Sequence, residues 1–180
     1  MIQVIDNVVD ERLSDYYNSE MYKIPWYVNN NIAYLVDEDE EIDNIHYGFF
    51  HSMIARDDPK IINSPWQARY ATILYQAASK CNLMVQEILA QRMFLHCPSI
   101  KPGQQNAMHI DLPDPHLVCL YYVNDSDGDT VFFDDNGNEI HRNTPKKNTA
   151  VIFDGSIKHC SSTPTGFRCI VNFNFSANSL

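Results

Sequence analysis

LVCLYYVNDSDGDTVFF, residues 117–133, holds two apolar runs split by an aspartate-rich turn. Leu117–Val123 and Thr130–Phe133 are short, rich in β-branched and aromatic residues, and bounded by Asn124 and Asp127-Gly128. Runs of that length and composition, punctuated in that way, read as buried strands. The same grammar extends outward. Arg92–Cys97 and Ala107–Leu112 precede the stretch, and Glu139–His141, Thr149–Phe153 and Phe167–Phe175 follow it. Asn136-Gly137 is a tight-hairpin dipeptide. Seven short strands with helices ahead of them predict an α+β fold, a β-sandwich or jelly roll of antiparallel strands flanked by N-terminal helices.

The residues before this region read differently. Ile2–Val4 is a candidate entry strand, and Asn7 or Asp6 can cap a helix over about 8–18. Ser64-Pro65-Trp66 is a helix start, a capping serine followed by proline at the first helical position. Trp66, Tyr70, Ile73, Leu74 and Ala77 then recur at helical spacing, and Asn82 can end the helix. Asp37–Glu41 is a block of five acids that reads as a solvated loop. The expectation is one domain over 1–180. Residues 1–89 form a helical and loop flank that shapes the substrate side, and residues 90–180 form the jelly-roll core.

Composition narrows the classes. The chain is 180 residues, 44% hydrophobic and 12% aromatic, which is a globular composition. Net charge is −10, with 14 acids against 6 bases in residues 1–90 and 9 against 7 in the rest. An acidic chain disfavours a nucleic-acid footprint, which needs a basic stripe. Five cysteines without a CxxC pair signal neither a disulfide framework nor a zinc site. No apolar run approaches the length of a membrane span and no signal-peptide pattern opens the chain, so a cytoplasmic protein is expected.

The chemistry sits in the strand region. If Ala107–Leu112 is a strand, His109 and Asp111 share one face, about 7 Å apart along the chain. Pro113 and Pro115 stop that strand and leave the pair at an open end. His159 follows 50 residues after His109, and Arg168 nine residues after His159. His109, Asp111 and His159 are candidate metal ligands, with His116 a rival third ligand. In the last strand, Arg168, Ile170, Asn172 and Asn174 alternate with Cys169, Val171, Phe173 and Phe175. The second set should pack on the helices, including Trp66 and Tyr70, which turns Arg168 inward and gives it need of an anionic partner. Around Gly128, an EF-hand loop would put Val123 at its first ligand position, so calcium is not expected there.

The order H-x-D, then His, then Arg resembles the iron(II)- and 2-oxoglutarate-dependent oxygenases, most closely their prolyl 4-hydroxylase-like branch. The resemblance covers residues 90–176. It runs through Arg92–Leu95, Met108–Asp111, Cys119–Asn124, Gly128–Phe133, Ala150–Gly155 with His159, and Arg168 with Val171–Phe173. Small members of this kind occur in phages and bacteria. The resemblance implies a double-stranded β-helix core in which His109, Asp111 and His159 hold iron(II) and form the catalytic centre. Two histidines and a carboxylate leave open positions on an octahedral ion. It further implies that 2-oxoglutarate takes two of them and O2 the third, with ascorbate as a possible reductant. Arg168 would bind the far carboxylate of 2-oxoglutarate, helped by Tyr122, with Leu120 walling the same pocket. The activity implied is hydroxylation of an unactivated C–H bond in a protein side chain such as proline, or in a small metabolite. A non-catalytic jelly-roll binding module and a nucleic-acid demethylase are the alternatives. The demethylase branch usually carries a second arginine after the first, and none follows Arg168.

Overall fold

The computed structural model describes residues 1–29 and 47–179, so the acidic run Asp37–Glu41 lies outside the described residues. The elements are β1 (Ile2–Ile5), α1 (Glu11–Glu20), β2 (Tyr27–Asn29), β3 (Gly48–Ile54), α2 (Gln67–Lys80) and β4 (Leu83–His96). They continue with β5 (Leu117–Tyr122), β6 (Thr130–Phe133), β7 (Glu139–Asn143), β8 (Thr149–Asp154), β9 (Lys158–Ser161) and β10 (Arg168–Ser179). A seven-stranded sheet has the order β1-β8-β5-β10-β4-β3-β2, and a three-stranded sheet the order β7-β6-β9. Every strand pair is antiparallel. This is the jelly-roll architecture expected, with both helices on one side of the large sheet.

The parity of β10 decides the layering. Cys169, Val171, Phe173 and Phe175 are buried in one core with Tyr17, Tyr70, Ile73, Leu74 and Ala77, with Trp66 packed against it. Each large apolar side chain so buried contributes roughly 1.5–3 kcal/mol. The opposite face of the sheet meets the small sheet through a second core of Val118, Leu120, Tyr122, Phe132, Val151, Phe153 and Ile170. Arg168, Asn172 and Asn174 lie on this second side, as the alternation predicts.

Helix ends follow their capping chemistry. Asp10, rather than Asn7 or Asp6, caps α1, its Oδ1 accepting from the backbone N–H of Arg12 at 3.0 Å. Asn7 instead turns the chain, with φ +50°. The Ser64 hydroxyl accepts from the N–H of Trp66 at 3.2 Å, and Asn82, with φ +55°, closes the far end of α2.

Several expectations need correction. The first 89 residues are more than helix and loop, because β1, β2 and β3 extend both edges of the large sheet and β4 begins at Leu83. The early part of β4 carries Gln86 and Glu87, and its half-exposed surface hides a strand that pairs with β10 over its whole length. Ala107–Leu112 is not a strand. Only His109 forms a bridge, while Met108 and Ile110 beside it face solvent. β9 was unmarked in the sequence apart from His159. Near Gly128, the Asp127 carboxylate accepts from the N–H and hydroxyl of Thr165 at 2.9 and 2.6 Å, a turn-locking role.

Candidate metal centre and anion pocket

His109 and His159 meet across an isolated antiparallel bridge, each backbone N–H donating to the other's carbonyl at 3.0 Å. Both rings are oriented from behind. Nδ1 of His109 lies 3.1 Å from the Ala107 carbonyl, and Nδ1 of His159 lies 3.2 Å from the Ile157 carbonyl. A carbonyl only accepts, so each Nδ1 carries the proton and each Nε2 presents its lone pair. Phe153 stacks edge-on to His159 at 4.8 Å and limits its rotation.

Asp111 completes the set. Its Oδ2 accepts from the side-chain amides of Asn172 at 3.0 Å and Asn174 at 2.8 Å. Its Oδ1 lies 3.8 Å from Nε2 of His109 and 3.9 Å from Nη2 of Arg92. One oxygen is thus held by amides while the other faces the histidines. Ligand atoms of His109, Asp111 and His159 all lie within 4.8 Å of one another. Burial pushes the Asp111 carboxyl up, but His159, Arg92 and the two amides outweigh it and hold it well below the usual carboxylate range. Burial pushes His159 down to about 4, against the pull of Asp111, which keeps its imidazole neutral near pH 7. A neutral imidazole and an ionised carboxylate are the protonation states a divalent cation requires.

The triad opens into a cavity of about 140 Å³ whose wall includes Phe94, His96, Leu120, Thr130, Arg168 and Ile170. Arg168 is 2% exposed. Its Nε donates to the Gly128 carbonyl at 2.7 Å, Nη1 to Nε2 of His96 at 3.2 Å, and Nη2 to the Thr130 hydroxyl at 2.9 Å. Guanidinium has five N–H donors, so one remains on each Nη. No ion pair among the described residues involves Arg168. A buried, fixed cation with neutral partners and two donors to spare, in a cavity, is an arrangement that can accept an anion.

The other candidates fall as follows. Leu120 lines the cavity. Tyr122 is fully buried behind it, its hydroxyl donating to Thr130 at 2.9 Å, so Thr130 stands at the wall between Tyr122 and the open space. His116 is not part of the triad. Its Nδ1 bonds the Asp114 carbonyl at 2.7 Å, and its ring lies against the backbone of Gly155. Cys160 lines the cavity, but burial pushes its thiol up to about 11, away from thiolate chemistry at neutral pH. Sequence reasoning missed His96 and Thr130 as supports of Arg168, and Asn172 and Asn174 as supports of Asp111. The asparagines were findable, since they share the Arg168 face of β10.

No protein-family model matches the chain, and no curated protein matches it in sequence. Solved structures do match in three dimensions. One is an oxidoreductase of the 2OG-Fe(II) oxygenase family from Burkholderia pseudomallei, with a TM-score of 0.69, 11% identity, and 97% of this chain aligned to 84% of that one. A second is a prolyl hydroxylase from Trichoplax adhaerens, in complex with a hypoxia inducible factor peptide fragment. Its TM-score is 0.63, with 15% identity and coverage of 97% and 83%. A third is a prolyl-4-hydroxylase from Pseudomonas putida, with a TM-score of 0.60, 15% identity, and coverage of 97% and 91%. The chain has the fold of the 2OG-Fe(II) oxygenases. At these identities the likeness to the oxygenases is one of fold, and the roles of individual side chains rest on the geometry described above.

Proposed function

We propose that this protein is an iron(II)- and 2-oxoglutarate-dependent dioxygenase that hydroxylates an unactivated C–H bond. The observation that carries the reading is the pairing of a two-histidine, one-carboxylate cluster with a buried arginine in the same cavity. The donor set suits iron(II), because two neutral imidazoles and one carboxylate grip one side of the ion and leave positions for exchangeable ligands. The residues present fit the group.

When bound, iron(II) and 2-oxoglutarate supply the oxidising power, and O2 is consumed as the cosubstrate becomes succinate and carbon dioxide. The chain's own residues place and shield the reactants. His109, Asp111 and His159 would hold the metal, with Asn172 and Asn174 fixing the carboxylate so that one oxygen faces it. Arg168 would take the far carboxylate of 2-oxoglutarate through its two remaining N–H donors, and Thr130 and His96 keep the guanidinium from swinging away. Tyr122 would act through Thr130, and Leu120, Phe94 and Ile170 would exclude water from the middle of the cosubstrate. A dry wall there strengthens the arginine–carboxylate contact.

An assembled triad beside a fixed arginine speaks against a non-catalytic binding module. The substrate is a protein side chain such as proline or a small metabolite. No helix among the described residues is long and apolar enough to cross a membrane, and five free cysteines, four of them buried, suit the reducing cytoplasm. The test is succinate formation by purified protein given iron(II), ascorbate, O2 and 2-oxoglutarate, with and without candidate substrates. Absence of succinate together with absence of metal and 2-oxoglutarate binding would overturn the reading.

A further inference from the structure

The register of five strands lines side chains up in rows on the cavity face of the large sheet. Tyr122 of β5 pairs with Ile170 of β10, Ile170 with Phe94 of β4, Phe94 with Phe50 of β3, and Phe50 with Tyr27 of β2. Directly paired residues share a face, with Cβ atoms about 5 Å apart. These five therefore form one apolar row running across the strands. The next row, beside Asp111, is polar, with Asn172, Arg92 and Ser52 in register.

Burial falls along the apolar row. Tyr122 and Ile170 belong to the core between the two sheets, Phe94 and Phe50 are half-buried, and Tyr27 is 61% exposed. The small sheet closes over β8, β5 and β10, and no member of the core it makes comes from β3 or β2. The Arg92 guanidinium rests over the Phe94 ring, 5.1 Å from its centroid. The open part of the row is thus Phe50 and Tyr27, whose rings lie 5.8 Å apart. Tyr27 stands two strand spacings from Phe94, about 10 Å from the cavity wall. Single exposed aromatics need no explanation, but a pair in register with the wall of the metal-site cavity is placed to meet whatever reaches the metal.

The size of the cavity says what kind of molecule that is. At about 140 Å³ it has room for about five waters, whereas pockets that enclose small molecules run to roughly 300–1,000 Å³. The cosubstrate takes up that space, so most of the primary substrate lies outside, on the open sheet face. A polypeptide suits this division, because one side chain enters while its neighbours rest on the surface. An extended chain rises about 3.3 Å per residue. With the target side chain over Phe94, residues two and three positions away fall over Phe50 and Tyr27. Beside them, the Ser52 hydroxyl accepts from the Asn63 side-chain amide at 3.2 Å and keeps its own proton for a peptide carbonyl.

We propose that Phe50 and Tyr27 are specificity residues for a polypeptide substrate, taking an apolar side chain two or three residues from the one that enters the cavity. This rests on the oxygenase reading and names the substrate class of that site.

The test uses full-length protein loaded with zinc(II), and 2-oxoglutarate binding is measured first by calorimetry. Failure at that step counts against the oxygenase reading itself. With 2-oxoglutarate saturating, the probes are acetylated, amidated heptapeptides, alanine throughout except for a central proline, lysine or asparagine. One leucine is then moved through the six outer positions. In at least one set, leucine two or three residues to one side of the centre should tighten binding about tenfold over the leucine-free peptide, the scale of partly burying an apolar side chain. Phe50→Ser and Tyr27→Ser should each remove most of that gain, and Tyr27→Phe should keep it. Tyr27 is largely exposed, so its variants read the proposal even if Phe50→Ser does not fold. A merely structural role would weaken all peptides alike and leave the positional preference intact. If 2-oxoglutarate binds normally but no peptide binds, or the leucine position makes no difference, or the preference survives Tyr27→Ser, the proposal is wrong and the oxygenase reading stands. Free L-leucine binding more tightly than every peptide would equally overturn the polypeptide assignment, in favour of a metabolite.

Discussion

His109 and His159 face each other as a doubly hydrogen-bonded pair, with both N–H···O distances 3.0 Å and their rings 4.6 Å apart. Paired residues of this kind place their side chains on the same side of the ladder. The bridge therefore fixes two imidazoles by backbone geometry alone, without a continuous strand around His109. Removing one ring leaves the bridge in place. His109→Ala and His159→Ala should keep the fold, with melting temperatures near that of the parent, and abolish tight metal binding measured by calorimetry. Unfolding of either variant would show that the rings, and not the backbone pairing, hold the loop.

The amides behind Asp111 should matter nearly as much as the ligands. Asn172→Leu and Asn174→Leu each remove one donor to Oδ2. Partners of a ligating group typically contribute about 10–100-fold in metal affinity. Each single variant should show a loss of that order, and the double variant a larger one. Metal titration by calorimetry reads both, and unchanged affinity in the double variant would remove the asparagines from the site.

These supports also show where sequence reading succeeds and where it stops. The alternation along β10 is strict because one face meets an apolar helical layer and the other a polar cavity, so the faces of Arg168 and Asn172 are legible in the sequence alone. The strand reading of Ala107–Leu112 failed because only the His109 backbone is paired, and periodicity cannot register a one-residue bridge. The convergence of His159 with His109 needs β9 pairing with β6 in the small sheet, a long-range choice that local sequence does not carry. Gly48–Ile54 became a strand next to β4 although its burial follows no simple alternation, which removed the usual period-two signal. His96 could be linked to Arg168 only through cross-strand register.

Gly128 is where the anion pocket is most easily broken from outside. A Cβ there would sit 2.8 Å from Cδ of Arg168 and 3.0 Å from the Ser162 carbonyl. The Gly128 carbonyl is also the acceptor for Nε. Gly128→Ala should push the guanidinium off its partners and weaken 2-oxoglutarate binding by about tenfold or more, the scale of a charge-assisted bond, while metal affinity stays close to the parent's. Arg168→Gln should reproduce the same split. Equal loss of metal and 2-oxoglutarate in both variants would contradict the separation of roles.

Acid should destabilise the metal-free protein through His159. Its ring is buried neutral with a folded value near 4, whereas the unfolded chain protonates near 6.5. Between those values the unfolded state binds the extra proton, so stability is lost as pH falls through that window. The full effect is at most about 3 kcal/mol. Asp111 has a depressed value, so its contribution stays in place above about pH 3.8 and does not offset the loss. Urea unfolding of chelator-treated protein at pH 7 and pH 5 should show the decline, and His159→Gln should flatten it. A pH-independent midpoint in the parent would mean that His159 is hydrated in the metal-free state.

Gly155 and His116 give the sharpest packing test away from the chemistry. A Cβ at Gly155 would overlap Cε1, Nε2 and Nδ1 of the His116 ring, and the Gly155 N–H donates to the His116 carbonyl at 2.9 Å. The ring cannot easily retreat, because Nδ1 is tied to the Asp114 carbonyl and the side chain is buried. Gly155→Ala should therefore cost about 1–3 kcal/mol, the range for overpacking a filled site. His116→Ala removes the obstructing ring, so the pair His116→Ala with Gly155→Ala should lose less than the two single changes added together. Urea denaturation of the four proteins gives that coupling directly. Metal affinity should be the same in all four, since His116 lies outside the triad. Additive losses would mean that Gly155 is required for its backbone and not for the space it leaves. A fall in metal affinity with His116→Ala would return His116 to the ligand set.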